Sequence, residues 1–253
     1  HFQVSLRAGS KPPLPDTCSC PSSMMSRGRR SLSRPSNRLT AKRWEGVFGG
    51  PSNTSYTPNG SVSLINVSAG WNGAGGAIIE AVDYNAPPLG GPANVTISGT
   101  NYFEGNRGGD GLNIVSDGAI TLSNINANWN FGRGAYLDNI STGWWTPLPA
   151  VRLYLPGINT FNGNSGNGLE FLTYGNVSMT KVTADRNGGS GLLGSTTDGN
   201  ITLACGSMNA NGGRGYDLTA TNGAITLYGV NGYSNASSNL LTADRWYTYR
   251  AWP

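Results

Sequence analysis

The sequence predicts an all-β chain wound as a right-handed parallel β-helix of about seven coils, with about 24 residues and three short strands per coil. Three observations carry this. Residues 175–235 state nearly the same phrase three times: GNVSMTKVTADRNGGSG, GNITLACGSMNANGGRG and GAITLYGVNGYSNASSN. An asparagine recurs ten residues after the first apolar position of each phrase, at Asn187, Asn211 and Asn235. Charged residues make up only 12% of the chain, while 38 glycines suit short strands joined by tight turns rather than helices.

In chain order, residues 1–43 come first. They hold nine Lys/Arg against Asp16 alone, and they are rich in Ser, Pro and Arg with almost nothing to bury. They read as a disordered basic tail. The tail lacks aromatic interleaving, so no nucleic-acid partner is expected. The remainder has eight basic and twelve acidic residues, so the net charge of +4 belongs to the tail. Residues 44–59 read as a cap over the first coil, because terminal repeats need their open faces covered.

The β-helix is expected over residues 60–245. Apolar-polar-apolar triplets begin at Val62, Val95, Ile120, Leu153, Val177, Ile201 and Ile225, at intervals of 33, 25, 33, 24, 24 and 24 residues. Long intervals alternate with short ones, so a two-coil unit of 58 and then 57 residues overlies the coil. Its second members resemble each other closely, TNYFEGNRGGDGL beside INTFNGNSGNGL. Each triplet is the first strand of a coil, its outer pair pointing inward by two-residue alternation. Segments such as Val67-Ser68-Ala69, Ile125-Asn126-Ala127 and Val182-Thr183-Ala184 supply the second strand. Segments following a glycine, such as Gly111-Leu112-Asn113-Ile114 and Gly168-Leu169-Glu170-Phe171, supply the third. Parallel crossovers favour the right hand. At strand spacing, seven coils rise roughly 34 Å.

The turns agree with the strands. Asn72, Asn106, Asn130, Asn164, Asn187, Asn211 and Asn235 form one column before the glycine-rich corner, where stacked amides donate and accept along the axis. Asp117-Gly118, Asp198-Gly199 and Asn222-Gly223 are expected at positive-φ corners. Residues 246–253 read as a C-terminal cap or a truncated next coil.

Stacked coils, an Asn ladder and ITL-type strands resemble the right-handed parallel β-helix of the pectin-lyase-like superfamily. The phrase GNITL…NANGGRGYDL is similar to those of repetitive bacterial surface and secreted proteins. The likeness covers about residues 60–245 and is specific for fold. The same fold carries lyases, hydrolases, tailspikes and adhesins, so it does not fix a function. It implies an extracellular or cell-surface location. It also implies a monomeric segment of a longer chain, since the sequence starts with His1 and shows neither a signal-peptide core nor an apolar membrane span.

Candidate chemistry is sparse. Polygalacturonase-like members use clustered Asp with a His, whereas here the only histidine is His1. Pectate-lyase-like members use acidic calcium ligands with a basic residue, whereas here the acids are scattered singly. Glu170 and Asp217 share an outward column two coils apart with Leu193 between them, roughly 9–10 Å backbone to backbone. They are the candidate acids if the chain is an enzyme. Asp110 and Arg133 occupy one corner in adjacent coils and are expected to pair. Cys18, Cys20 and Cys205 are too few for a disulfide scaffold and too sparse for a zinc site. No metal and no cofactor is expected. The column Ser63, Thr96, Thr121, Tyr154, Ser178, Thr202, Thr226 is too interrupted for an ice-binding array and follows from β-propensity. Eight Asn-X-Ser/Thr sequons follow from the repeat itself.

Two insertions stand out, Tyr84 to Pro92 and Ile140 to Pro149, leaving the same corner two coils apart. Both are proline-stiffened, and the second carries Trp144 and Trp145. Binding residues usually sit on loops of a rigid scaffold, and flat aromatic faces stack on sugar rings. The candidate ligand-binding residues are therefore Trp144, Trp145, Tyr136 and Tyr84, with a polysaccharide or cell-surface glycan as partner. The expected function is an extracellular structural or adhesive β-helix, and the alternative is a fragment of a carbohydrate-active lyase or glycosidase.

Overall fold

The computed structural model describes residues 61–82, 92–139, 152–245 and 247–250. These are all-β and form a parallel β-helix. The first strands are Val62–Ile65, Val95–Ser98, Ile120–Leu122, Leu153–Leu155, Val177–Thr180, Ile201–Ser207 and Ile225–Asn231. They stack in parallel in that order, and Tyr247–Arg250 continues the column. The third strands form a seven-stranded parallel sheet from Ala77–Ala81 to Leu240–Ala243. The first-strand register pairs Val62, Val95, Ile120, Leu153, Val177, Ile201 and Ile225 in one column, as the spacing required. All seven are buried, as are Leu64, Ile97, Leu122, Leu155, Met179, Leu203 and Leu227 two residues on.

Second strands are two residues long in the middle coils: Asn101–Tyr102, Ile125–Asn126, Asn159–Thr160 and Val182–Thr183. In the sixth and seventh coils they are not separate. Ile201–Ser207 and Ile225–Asn231 run through first and second strand, bending at Cys205 (φ 59°) and Gly229 (φ 56°). Cys205 is disulfide-bonded.

The bends form two complete columns of left-handed residues. One follows the first strand: Asn66, Gly99, Asn124, Gly157, Lys181, Cys205, Gly229. The other follows the second strand: Trp71, Gly105, Trp129, Gly163, Arg186, Ala210, Ser234. Together they account for every positive-φ residue among the described ones. Asp117-Gly118, Asp198-Gly199 and Asn222-Gly223 are not among them, which corrects the expectation of positive φ there. Glycine is needed at those corners for clearance, since a Cβ on Gly118 would lie 2.6 Å from the Ala93 carbonyl.

The long intervals, in coils one and three, are those that contain the two insertions, and the short coils that alternate with them differ in another way. Coils two and four hold one extra residue after the bend, Thr100 and Ile158, and the next residue is a buried asparagine, Asn101 or Asn159. Their Oδ1 atoms accept from the Val67 and Ile125 amides, satisfying backbone that the extra residue displaces. The core beside them alternates small and large. Ala69, Phe103, Ala127, Phe161 and Ala184 stack in turn, and each phenylalanine fills the space its alanine neighbours leave.

The predicted Asn ladder is complete. From Asn72 to Asn211, each backbone N–H and each Nδ2 donates to Oδ1 of the asparagine one coil on, at 2.8–3.1 Å. Glycine at the following corner makes room for it. A Cβ on Gly168 would meet Asn187 Nδ2 at 2.7 Å and the Gly191 carbonyl at 2.6 Å.

Candidate functional site

The outward column of the third sheet reads Ile78, Asn113, Tyr136, Glu170, Leu193, Asp217, Leu240. Glu170 and Asp217 therefore stand two coils apart with Leu193 between them, as the sequence placed them. The structure does not bring them together. Glu170 is held by Arg133 Nη1 at 3.3 Å and by Asn167 Nδ2 at 2.8 Å. Asp217 pairs with Arg214, three residues earlier, at 2.6 Å.

Arg133 is the hub of the one convergent polar cluster among the described residues of this face. It forms the expected pair with Asp110, with Nη2 at 2.8 Å and Nε at 3.1 Å from one oxygen, while its backbone N–H donates to the other. Its guanidinium lies 4.2 Å from the Tyr136 ring centroid. Partial burial alone would lower the Arg133 pKa, but the Asp110 bond and the Asp110 and Glu170 charges outweigh it and the net shift is upward. Tyr136 donates to Asp138 Oδ2 at 3.2 Å. Partial burial first, and the Asp138 carboxylate second, push its phenol up to about 12. Such a cluster fixes side chains in place and offers a cation and a neutral phenol. Among the described residues no three His, Cys, Asp or Glu are grouped to hold a metal ion.

Trp144, Trp145 and Tyr84 lie outside the described residues, so of the four predicted ligand contacts Tyr136 alone is placed. The strands that precede the two insertions, Ala77–Ala81 and Ala135–Asp138, both pair with Leu112–Ser116. Those two strands thus stand two coils apart in the third sheet.

Sequence reasoning missed a second aromatic group. Trp71 and Trp129 are 60% and 59% exposed, Phe131 is 70% exposed, and Tyr102 on a second strand is exposed as well. The two tryptophans share the second left-handed column, 58 residues apart, which is one two-coil unit. That period is readable in the sequence, but it draws the eye to the strands and away from exposed corners.

No known family profile matches the chain, and no curated protein matches it significantly in sequence. Two solved structures from Azotobacter vinelandii are similar in backbone. The A-module of mannuronan C-5 epimerase AlgE4 has a TM-score of 0.41 and 12% identity, over 76% of this chain and 56% of that one. For the AlgE6 A-module the values are 0.39 and 14%, over 75% and 58%. The chain spans little more than half the length of these structures. The likeness stops at the fold.

Proposed function

We propose that this chain is a rigid, non-catalytic β-helix of an exported or surface protein, and that it binds polysaccharide. The observation that supports it most is the set of exposed aromatic rings on backbone tied coil to coil by asparagine ladders. Rigid rings lose little entropy on binding, and their flat faces suit the apolar faces of sugars. The candidate acids Glu170 and Asp217 are each already committed to an arginine. On this reading Trp144, Trp145 and Tyr84 in the insertions add further contacts near Tyr136. Location at the surface or outside the cell is part of the proposal, and fractionation of the native source tests it.

A second reading, a carbohydrate-active enzyme, is favoured by one feature, the convergence of Arg133, Asp110, Glu170, Tyr136 and Asp138. One experiment separates the two. The full chain is passed over a panel of immobilised polysaccharides while soluble sugar is assayed. Retention without release of reducing or unsaturated ends supports the binding protein. Release that is lost in Glu170→Gln or Asp217→Asn supports the enzyme. No retention on any polysaccharide, with no release, defeats both.

A further inference from the structure

The left-handed column after the second strand holds one residue per coil. Its φ values are 61° at Trp71, 68° at Gly105, 60° at Trp129 and 65° at Gly163. A residue with a side chain is strained in this conformation, because its Cβ crowds the following carbonyl oxygen. A bulky aromatic there is an outlier twice over, because its apolar ring is also pushed into water. The outlier occurs twice, at equivalent positions two coils apart. Strain of this kind persists where the surroundings enforce it, and it is a pointer to function.

The surroundings here fix each ring. A Cβ on Gly105 would lie 2.7–2.9 Å from Cε3, Cδ2 and Cζ3 of Trp71, and Gly163 stands in the same relation to Trp129. The indole therefore lies flat over the glycine of the next coil, with its inner face packed and its outer face presented. Polar groups fill the intervals. Glu104 and Asn162 each precede one of these glycines. Glu104 Oε1 accepts from Asn128 Nδ2, and Asn162 Oδ1 accepts from the Asp185 amide. Glu104 Oε2 and Asn162 Nδ2 are left without a partner among the described residues. Ring and polar group thus alternate coil by coil, with ring-to-ring spacing of about 9–10 Å along the axis.

A surface whose chemistry repeats at that rise fits a ligand that repeats at the same rise. In an extended chain of equatorially linked hexopyranoses, sugars i and i+2 turn the same face to one side, and their separation matches two coils. We propose that Trp71 and Trp129, with Glu104 and Asn162 between and beyond them, form a linear site for an unbranched, uncharged polysaccharide of this kind, lying along the helix axis. Alternate sugars stack on the two indoles, and their hydroxyls donate to Glu104 and accept from Asn162. The Glu104 carboxylate between the two rings disfavours polyuronates, while Asp185 beyond Asn162 is offset by Arg186 beside it in the same column. Axially linked polymers coil and present a curved edge to flat rings. The proposal rests on the reading that the chain binds polysaccharide, and it names the site and the ligand class.

The test is titration of the full chain with β-1,4-linked glucose and mannose oligomers from disaccharide to hexasaccharide, followed by tryptophan fluorescence and calorimetry. Affinity should rise at least about tenfold between the disaccharide and oligomers long enough to reach both rings, as the second contact becomes intramolecular. Trp71→Gly and Trp129→Gly should each abolish that rise while disaccharide binding persists. Glycine is chosen because the local φ suits it, and an unchanged circular dichroism spectrum confirms folding. A flat length dependence, or unchanged affinity in both variants, overturns the site. Equal binding of a hexauronate or of maltohexaose overturns the ligand class. Retention on the polysaccharide panel that survives Trp71→Gly with Trp129→Gly removes this site and leaves the broader reading standing, whereas no retention in the unaltered chain removes both.

Discussion

The first four coils and the last three share one packing pattern inside and differ outside. Coils one to four alternate: Ala69 and Ala127 face Phe103 and Phe161 inside, while Trp71 and Trp129 face Gly105 and Gly163 outside. Coils five to seven keep the inner alternation, as Ala184, Met208 and Gly232, but outside they place Arg186, Ala210 and Ser234 where the first four set rings against glycines. Alternation doubles the period and allows large side chains on both surfaces, because every large residue has a small one on either side. The only broad exposed indoles among the described residues belong to the first four coils.

The largest expected effect tests the shared interior. Phe161→Ala would set a third small side chain between Ala127 and Ala184 in successive coils, and should cost about 3–5 kcal/mol. Met208→Ala, at the equivalent large position of the last three coils, should cost less, near the lower end of about 2–5 kcal/mol, because the flexible thioether fills its space less tightly. Urea denaturation of both variants measures the gap, and equal losses would mean that ring and thioether fill the shared column alike.

The ladder is likewise common to both. Asn164→Ala and Asn211→Ala each remove a paired acceptor and leave donors unmet, at about 1–3 kcal/mol per buried group stranded. Their costs should agree within about 0.5 kcal/mol on the same denaturation assay, beyond which the ladder is not independent of the packing beside it. A smaller effect separates the halves again. Lys181→Gly relieves an exposed left-handed lysine and should raise stability by up to about 1 kcal/mol. Trp129→Gly gains the same relief but uncovers Gly163, so its melting temperature should not rise. A rise equal to that of Lys181→Gly would mean the indole contributes no packing.

The smallest effect concerns the third face. Tyr136 ionises at about 12 in the folded chain against 10.0 for a free phenol. The folded state therefore holds its proton longer, and the resulting stability is complete below pH 10 and lost as pH rises toward about 12. Phenolate absorbance should show one late-titrating tyrosine, absent in Tyr136→Phe. Asp138→Asn should move it down.

The strands were legible because inward positions repeat a chemical class, and the Asn ladder was legible because only an amide both donates and accepts. The bends were not legible in the same way. Asn66, Gly99, Lys181 and Cys205 share a backbone conformation and no side-chain property, so no pattern of residue types marks them. Gly118 misled for the opposite reason, being glycine for clearance and not for φ. Glu170 and Asp217 were placed correctly, but their arginine partners lie in a neighbouring coil or one turn of chain away, where spacing alone does not reveal pairing. Trp71 and Trp129 were visible as a 58-residue pair. What made them a site, the glycine beneath each ring, needed the coils to be stacked first.

The Asn ladder also gives the column a direction. Each rung donates toward the C-terminal side and accepts from the N-terminal side, so the aligned amide dipoles add instead of cancelling. The two ends of such a stack are chemically unlike, one an acceptor and the other a donor. A coil inserted anywhere by duplication finds the partner it needs on both sides if it brings its own asparagine in the same sense. An inverted coil would set donor against donor. The stack behaves as a polar filament in miniature, able to lengthen by copying and closed to reversal.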